Sequence, residues 1–271
     1  MVVQQFIPFI QQTFQFSQAT QLHKLLCLGH GESTLADSLS QLTIPEGITL
    51  GYRPSAPHVE IKLFARGDKA IRDLPLLIDA VKSKLGPAIV CENCPSIAEA
   101  VHQLLIENKL RLSIAESCTG GMLSSQLVEF SGSSNYLDQS LVTYSNQAKQ
   151  NILGISAETL QQHGAVSIQT AQAMAENVRA LAGSDYGLAT TGIAGPDGGS
   201  TDKPVGMVCI ALASKDTCWI QTIQLPRRSR TLIRIMSCAV ALDMLRRSIT
   251  GTDPIVPYSS ISCSDTQIVR N

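Results

Sequence analysis

The stretch Ser113-Ile114-Ala115-Glu116-Ser117-Cys118-Thr119-Gly120-Gly121 sets a carboxylate, hydroxyls and a thiol directly ahead of a glycine pair. An apolar approach (Leu112, Ile114, Ala115) and a helical stripe after it (Met122, Leu123, Leu127, Val128) predict a strand, a turn and a helix N-terminus. Free backbone N–H groups and the helix dipole favour an anion at such a point. Two further segments offer chemistry: Thr143-Tyr144-Ser145-Asn146-Gln147-Ala148-Lys149, and the loop Thr191-Gly192-Ile193-Ala194-Gly195-Pro196-Asp197-Gly198-Gly199 that closes on Lys203-Pro204-Val205-Gly206.

Serine is a weak nucleophile until a base takes its proton. None of His23, His30, His58, His102 and His163 falls in or beside these segments in a way that supports a Ser-His-Asp triad. A lysine serves instead if burial lowers its pKa toward neutrality. Lys149 follows the Tyr144-Ser145-Asn146 turn, and Tyr144 is placed to relay or orient the proton. The pattern therefore reads as Ser–Lys acyl transfer. Each piece has a plain alternative. Taken alone, Ser117 is more commonly a helix N-cap and Lys149 a solvated lysine, and the 192–199 loop reads as a tight turn. The functional reading rests on all three segments following predicted strands, where open α/β sheets place their crevices.

The elements that must position these residues fall in two segments. From Leu25 to Val90 the pattern is strand, glycine turn, helix, strand, helix, strand, an α+β segment with alternation at Val59, Ile61 and Leu63. Past Cys91–Ser96, an amphipathic helix from Ile97 to Glu107 opens an alternating α/β run. That run carries a strand at Leu141–Tyr144, a helix at Gln169–Leu181, strands at Tyr186–Thr191, Val205–Ala213 and Cys218–Gln224, and a last helix at Ser229–Arg247. The expected class is α/β, a layered α/β/α C-terminal domain with a smaller α+β segment before it. The tail after Thr250, with Pro254, Pro257 and several serines, is expected to be disordered.

A chain of 271 residues with 44% hydrophobic and 16% charged residues has the composition of a packed, soluble protein. A formal charge of −1 gives no support to a nucleic-acid binder driven by bulk electrostatics, although Arg227, Arg228, Arg230, Arg234, Arg246 and Arg247 cluster near the end. Met1–Gln21 contains no Lys or Arg, so it lacks the basic start of a secretory signal, and no apolar run reaches membrane-span length. Cys209, Cys218 and Cys238 sit in apolar patterns and read as small hydrophobes in a reduced, cytoplasmic protein. Cys91 and Cys94 form a C-x-x-C pair without a second pair or a histidine at zinc spacing, so neither a metal site nor a redox role is expected of it.

Four motifs, in order, resemble the CinA C-terminal domain: Ala115-Glu116-Ser117-Cys118-Thr119-Gly120-Gly121, Val142 through Lys149, His163-Gly164-Ala165-Val166-Ser167, and Gly192 through Gly199 with Lys203–Gly206. The resemblance covers 96–248. Residues 25–92 resemble the KH-like middle domain of full-length CinA proteins, through Leu28-Gly29-His30-Gly31-Glu32-Ser33 and Gly51-Tyr52-Arg53-Pro54. His30 stands there in place of the usual aliphatic residue. Residues 1–24 are then an N-terminal extension and 249–271 the tail. The molybdopterin-binding-like domain of such proteins is not found in these residues, so its pyrophosphatase activity is not expected.

The family includes nicotinamide-nucleotide amidohydrolases, and the resemblance implies roles for residues here. Ser117 would attack the carboxamide carbon of nicotinamide mononucleotide and Lys149 would act as base, with Tyr144 and Thr191 orienting the pair. Backbone N–H groups at Thr119, Gly120 and Gly121 would stabilise the oxyanion. Asn146, Gly192, Ala194 and Gly195 would contact the nucleotide, and Arg230 its phosphate. Arg228-Ser229 replaces the family's Gly-Asp pair ahead of that arginine. No cofactor and no metal is required, and a homodimer is expected. The alternative is a non-catalytic nucleotide-binding or regulatory protein, because CinA-like proteins are also linked with competence and recombination. The KH-like segment lacks the G-x-x-G clamp of an RNA binder and reads as structural.

Overall fold

The strand Thr20–Leu28 (β1) sends its side chains into two different cores. Leu25 and Cys27 join one, Leu26 and Leu28 the other, as the two-residue period of a strand requires. In the computed structural model, which describes residues 5–13 and 18–270, β1 is thus the hinge of the architecture. A short helix, Ile7–Thr13 (α1), precedes it. The strand begins inside the stretch expected to be an extension.

The first core lies under helices Glu32–Leu39 (α2) and Asp68–Leu85 (α3), packed on one face of an antiparallel sheet. The sheet comprises β1, Ile48–Ser55 (β2), His58–Arg66 (β3) and Ile89–Glu92 (β4), in the order β2-β3-β1-β4. Val59, Ile61, Leu63 and Ala65 alternate inward along β3, which makes it a half-buried strand. Gly29 ends β1 at a φ of 77°, and a side chain there would collide with Tyr258, since an added Cβ would lie 2.0 Å from its ring. Only glycine fits this junction.

The larger sheet has the order β10-β9-β8-β7-β5-β6. Its strands are Leu112–Glu116 (β5), Leu137–Val142 (β6), Tyr186–Gly192 (β7), Met207–Ala213 (β8), Thr217–Gln224 (β9) and Ser262–Arg270 (β10). β5 runs parallel to both β6 and β7, and the remaining pairs are antiparallel. Helices Ile97–Glu107 (α4), Met122–Val128 (α5) and Arg230–Ile249 (α9) cover one face against Ile114, Leu188 and Ile210. Helices Asn146–Leu153 (α6), Ala157–His163 (α7) and Ile168–Ala182 (α8) cover the other against Ala115, Ala189 and Ala211. The result is the expected α/β/α layering. Among the described residues no helix is long and apolar enough to cross a membrane.

Three further expectations need correction. The strand expected at Leu141–Tyr144 is β6, which stops at Val142 and leaves Thr143 and Tyr144 in the turn that follows. The tail expected to be disordered is ordered: Tyr258 is buried, its hydroxyl donates to Asp243 Oδ2 at 2.8 Å, and β10 pairs with β9 along its length. Most of β10 is exposed, so no apolar alternation marks it in the sequence. Cys91 and Cys94 are joined by a disulfide, with Cα atoms 6.1 Å apart.

Tyr258 belongs to a buried polar knot that ties the tail to both units. Asp243 accepts from Arg246 Nε and Arg247 Nε at 2.8 Å each, and both guanidinium groups also donate to the Pro87 carbonyl. Burial and the Asp243 charge hold the Tyr258 phenol well above its ordinary range. Asp243→Ala would leave two arginines buried without their counter-charge. It is expected to lower the unfolding free energy by about 3–5 kcal/mol, against about 1 kcal/mol for Tyr258→Phe. Urea denaturation checks both; an Asp243→Ala midpoint equal to wild type contradicts the assignment.

Candidate active site

Three neighbouring parallel strands, β6, β5 and β7, end together, and each delivers a segment to one crevice. Ser117 follows β5 and its N–H donates to the Thr190 carbonyl of β7, while the Thr143 N–H donates to the Glu116 carbonyl. These two bonds carry the sheet one residue beyond β5 on either side, so the position of Ser117 is set by the sheet rather than by a free loop.

The turn after Ser117 takes its shape from glycine. Gly120 and Gly121 adopt φ of 57° and 89°, a left-handed conformation that side chains disfavour. The Gly120 N–H donates to the Ser117 carbonyl, and the Gly121 N–H to Glu116 Oε2. Leu123 N–H and Ser124 N–H also donate to Glu116, at 3.1 and 2.9 Å. The start of α5 is therefore already occupied by the chain's own buried carboxylate. This corrects the expectation that Gly120 and Gly121 stabilise an oxyanion: their role is conformational. Thr119 points elsewhere too, its hydroxyl sharing a 2.7 Å hydrogen bond with Thr190 Oγ1 and its carbonyl accepting from Arg234. By contrast, the N–H groups of Cys118 and Thr119 donate to no other residue among those described.

Lys149 reaches the crevice from α6. Ser145 caps that helix by accepting from the Ala148 N–H, and Lys149 shares the inward face with Leu153 one turn on. The Lys149 side chain is completely buried. Its Nζ lies 3.0 Å from Ser117 Oγ, 2.8 Å from the Thr143 carbonyl oxygen and 3.3 Å from the Tyr144 carbonyl oxygen. No carboxylate pairs with it among the described residues. Burial pushes its pKa below the ordinary lysine value, because the charged form has lost its water. A neutral amine has two protons for the two carbonyls and one lone pair left for the serine hydroxyl. Three acceptors also match the three protons of an ammonium, so it is burial without a counter-charge, not the contact count, that favours the neutral form.

The crevice above Ser117 has a volume of about 250 Å³. Ser117, Lys149, Tyr144, Thr191, Gly192, Ala194, Gly195 and Arg230 all line it. Thr119, Gly120, Gly121 and Asn146 do not. Asn146 is exposed at the first position of α6. Two orienting roles also change. The Thr191 hydroxyl donates to the Ala165 carbonyl at 2.7 Å and so fixes the wall at 163–167, not the nucleophile. Tyr144 acts on Lys149 through its carbonyl, while its exposed phenol accepts from Arg230 Nη2 at 3.1 Å. Arg230 also donates to the Gly195 carbonyl at 2.7 Å and so joins opposite rims.

Four contributors were not assigned from sequence. Glu116 anchors the turn, Arg234 clamps it, Lys203 Nζ holds the wall through the His163 carbonyl at 2.6 Å, and Cys118 lines the floor. Only Glu116 leaves a signal, a charged residue ending an otherwise apolar strand. Burial pushes the Cys118 thiol up to about 12, so it is not a thiolate nucleophile in this setting.

The family pattern described as the CinA C-terminal domain matches residues 95–249. The CinA-like protein of Shewanella frigidimarina is 57% identical over 261 residues, covering 96% of this chain and 62% of the relative. That of Shewanella baltica is 55% identical over the same length. The chain thus spans about three-fifths of the length of these curated relatives, 62% in both cases. Among solved structures, the competence/damage inducible protein CihA from Agrobacterium tumefaciens superposes with a TM-score of 0.55 at 38% identity, over 58% of this chain and 97% of that one. A competence-damaged protein (CinA) superfamily protein from Klebsiella pneumoniae gives 0.55 at 32% identity, over 57% and 96%. The matched region holds the whole Ser117–Lys149 crevice, and the chain belongs to the CinA family.

Proposed function

We propose that the chain is an amidohydrolase that converts nicotinamide mononucleotide to nicotinic acid mononucleotide and ammonia. The observation that carries this reading is the buried Lys149 amine 3.0 Å from Ser117 Oγ, with carbonyl oxygens as its other neighbours. Neutral Lys149 accepts the Ser117 proton as Oγ attacks the carboxamide carbon. The tetrahedral oxyanion is met by the N–H of Cys118, the residue directly after the nucleophile, in place of the glycine N–H groups expected from sequence. The Lys149 ammonium then gives its proton to the departing ammonia, leaving an acyl-serine. Water attacks that ester with Lys149 again as base, and Ser117 recovers its proton as the acid departs.

Arg230 supports the nucleotide half of the reading. It stands at the rim beside Gly195 and Tyr144, within the crevice lining, where a phosphate can displace its neutral partners. The substrate is a soluble metabolite, in keeping with a cytoplasmic enzyme.

Purified protein incubated with nicotinamide mononucleotide is expected to release ammonia, and Ser117→Ala to lower the rate by at least about 10³-fold. No release from folded wild type moves the reading to a nucleotide-binding or regulatory protein. The lowered Lys149 pKa fixes two pH dependences. The rate rises with pH as the ammonium is lost, at a pH below the ordinary lysine value of about 10.4. Stability follows the same group: between its folded pKa and its higher unfolded pKa, the unfolded chain binds more protons, so stability rises with pH across that window. Lys149→Met is expected to remove that rise. Denaturation of both proteins across the alkaline range checks it, and parallel curves contradict it.

A further inference from the structure

A cavity of about 540 Å³ lies away from the Ser117 crevice, between the smaller sheet and helices α4, α5 and α9. Cys94 lines it, joined by its disulfide to Cys91 at the end of β4. Both cysteines are only partly buried. Asn93 holds the intervening loop against β1 at both ends of one residue: its N–H donates to the Lys24 carbonyl and its side chain accepts from the Lys24 N–H, each at 2.9 Å. Asn93 adopts a φ of 53°, a conformation that asparagine tolerates better than most residues. Cys94 also stands two residues ahead of Ser96, whose hydroxyl caps α4 by accepting from the Glu99 N–H. Polar groups of both signs surround the cavity. Glu129 is exposed, and Arg53 is exposed without an ion pair among the described residues.

We propose that Cys91–Cys94 is a thiol–disulfide exchange site whose co-reactant is a small peptide thiol that carries carboxylates and enters the cavity beside Arg53. The thiolate of the incoming molecule attacks Cys94 Sγ; the bond to Cys91 breaks, and Cys91 leaves as a thiolate that takes a proton from water. A second thiolate attacks the incoming sulfur, releasing the small disulfide and the Cys94 thiolate, which is protonated in turn. Two small thiols are oxidised by two electrons in total, and the protein disulfide is reduced by the same two. Arg53 pairs with a carboxylate of the thiol, and the cavity makes Cys94 rather than Cys91 the attacked sulfur. This centre is independent of the amidohydrolase reading.

The test uses the full oxidised chain with reduced glutathione or 2-mercaptoethanol at equal thiolate concentration, read by alkylation and mass spectrometry. Glutathione is expected to open the disulfide faster. Arg53→Gln slows glutathione about two- to fivefold, the worth of one exposed ion pair, and leaves 2-mercaptoethanol unchanged. With oxidised glutathione, Cys91→Ser is expected to carry one glutathione on Cys94, while Cys94→Ser carries none. Equal rates for the two thiols with no effect of Arg53→Gln would overturn the proposal. So would an adduct on Cys91 as readily as on Cys94, or a chain that keeps both cysteines as thiols in the presence of oxidised glutathione.

Discussion

The molecule depends on one contact, a lysine amine kept out of water and aimed at a serine. A lysine this buried would be costly if charged, and no carboxylate is placed to compensate it. The chain instead surrounds it with backbone oxygens, which accept protons from an amine without supplying a full negative charge. The two carbonyls come from Thr143 and Tyr144, in the turn between β6 and α6, so the length of that turn sets the direction of the lone pair. Depressing a lysine pKa by desolvation requires a rigid pocket, because a mobile one would admit water. The α6–α8 face of the sheet, which packs Leu153 beside Lys149, supplies that rigidity.

On the serine side, rigidity has a different source. Glu116 faces the α5 N-terminus with a carboxylate where an exogenous anion would otherwise be attracted. It takes three backbone N–H groups and so fixes the Ser117–Gly121 turn from within. Arg234 fixes the same turn from α9 through the Thr119 carbonyl. Because α9 also carries the Asp243 knot that holds the tail and Pro87, the crevice and the junction of the two sheets rest on one helix. A side chain at Gly29 would disturb that junction far from the chemistry.

Much of this was legible in the sequence, for stated reasons. Ser117 and Lys149 stood out because each sits where a predicted strand gives way to a turn or helix, which is where layered α/β folds collect ligands. What the pattern does not reveal is which partner each polar atom takes, whether that partner is near in sequence or far. Gly120 and Gly121 were read as donors to substrate, but their N–H groups are spent on Ser117 and Glu116. Thr191 was assigned to the nucleophile, yet its partner is a carbonyl 26 residues away. The tail is not legible because an edge strand with little burial carries no apolar rhythm, and Pro254 and Pro257 obscure it further. The C-x-x-C pair lacks the further ligands a metal needs, a criterion that does not bear on a disulfide.

The central claim is that Lys149 is neutral beside Ser117 at working pH, and direct titration of that amine tests it. Nitrogen-detected or Cε-detected NMR of selectively labelled lysine, assigned with Lys149→Met, gives its pKa in the folded protein. A value well below the ordinary lysine pKa of about 10.4 is the result expected here. A value at or above it, in a folded protein, would mean that Lys149 is an ammonium, and Ser117 would then lack its base.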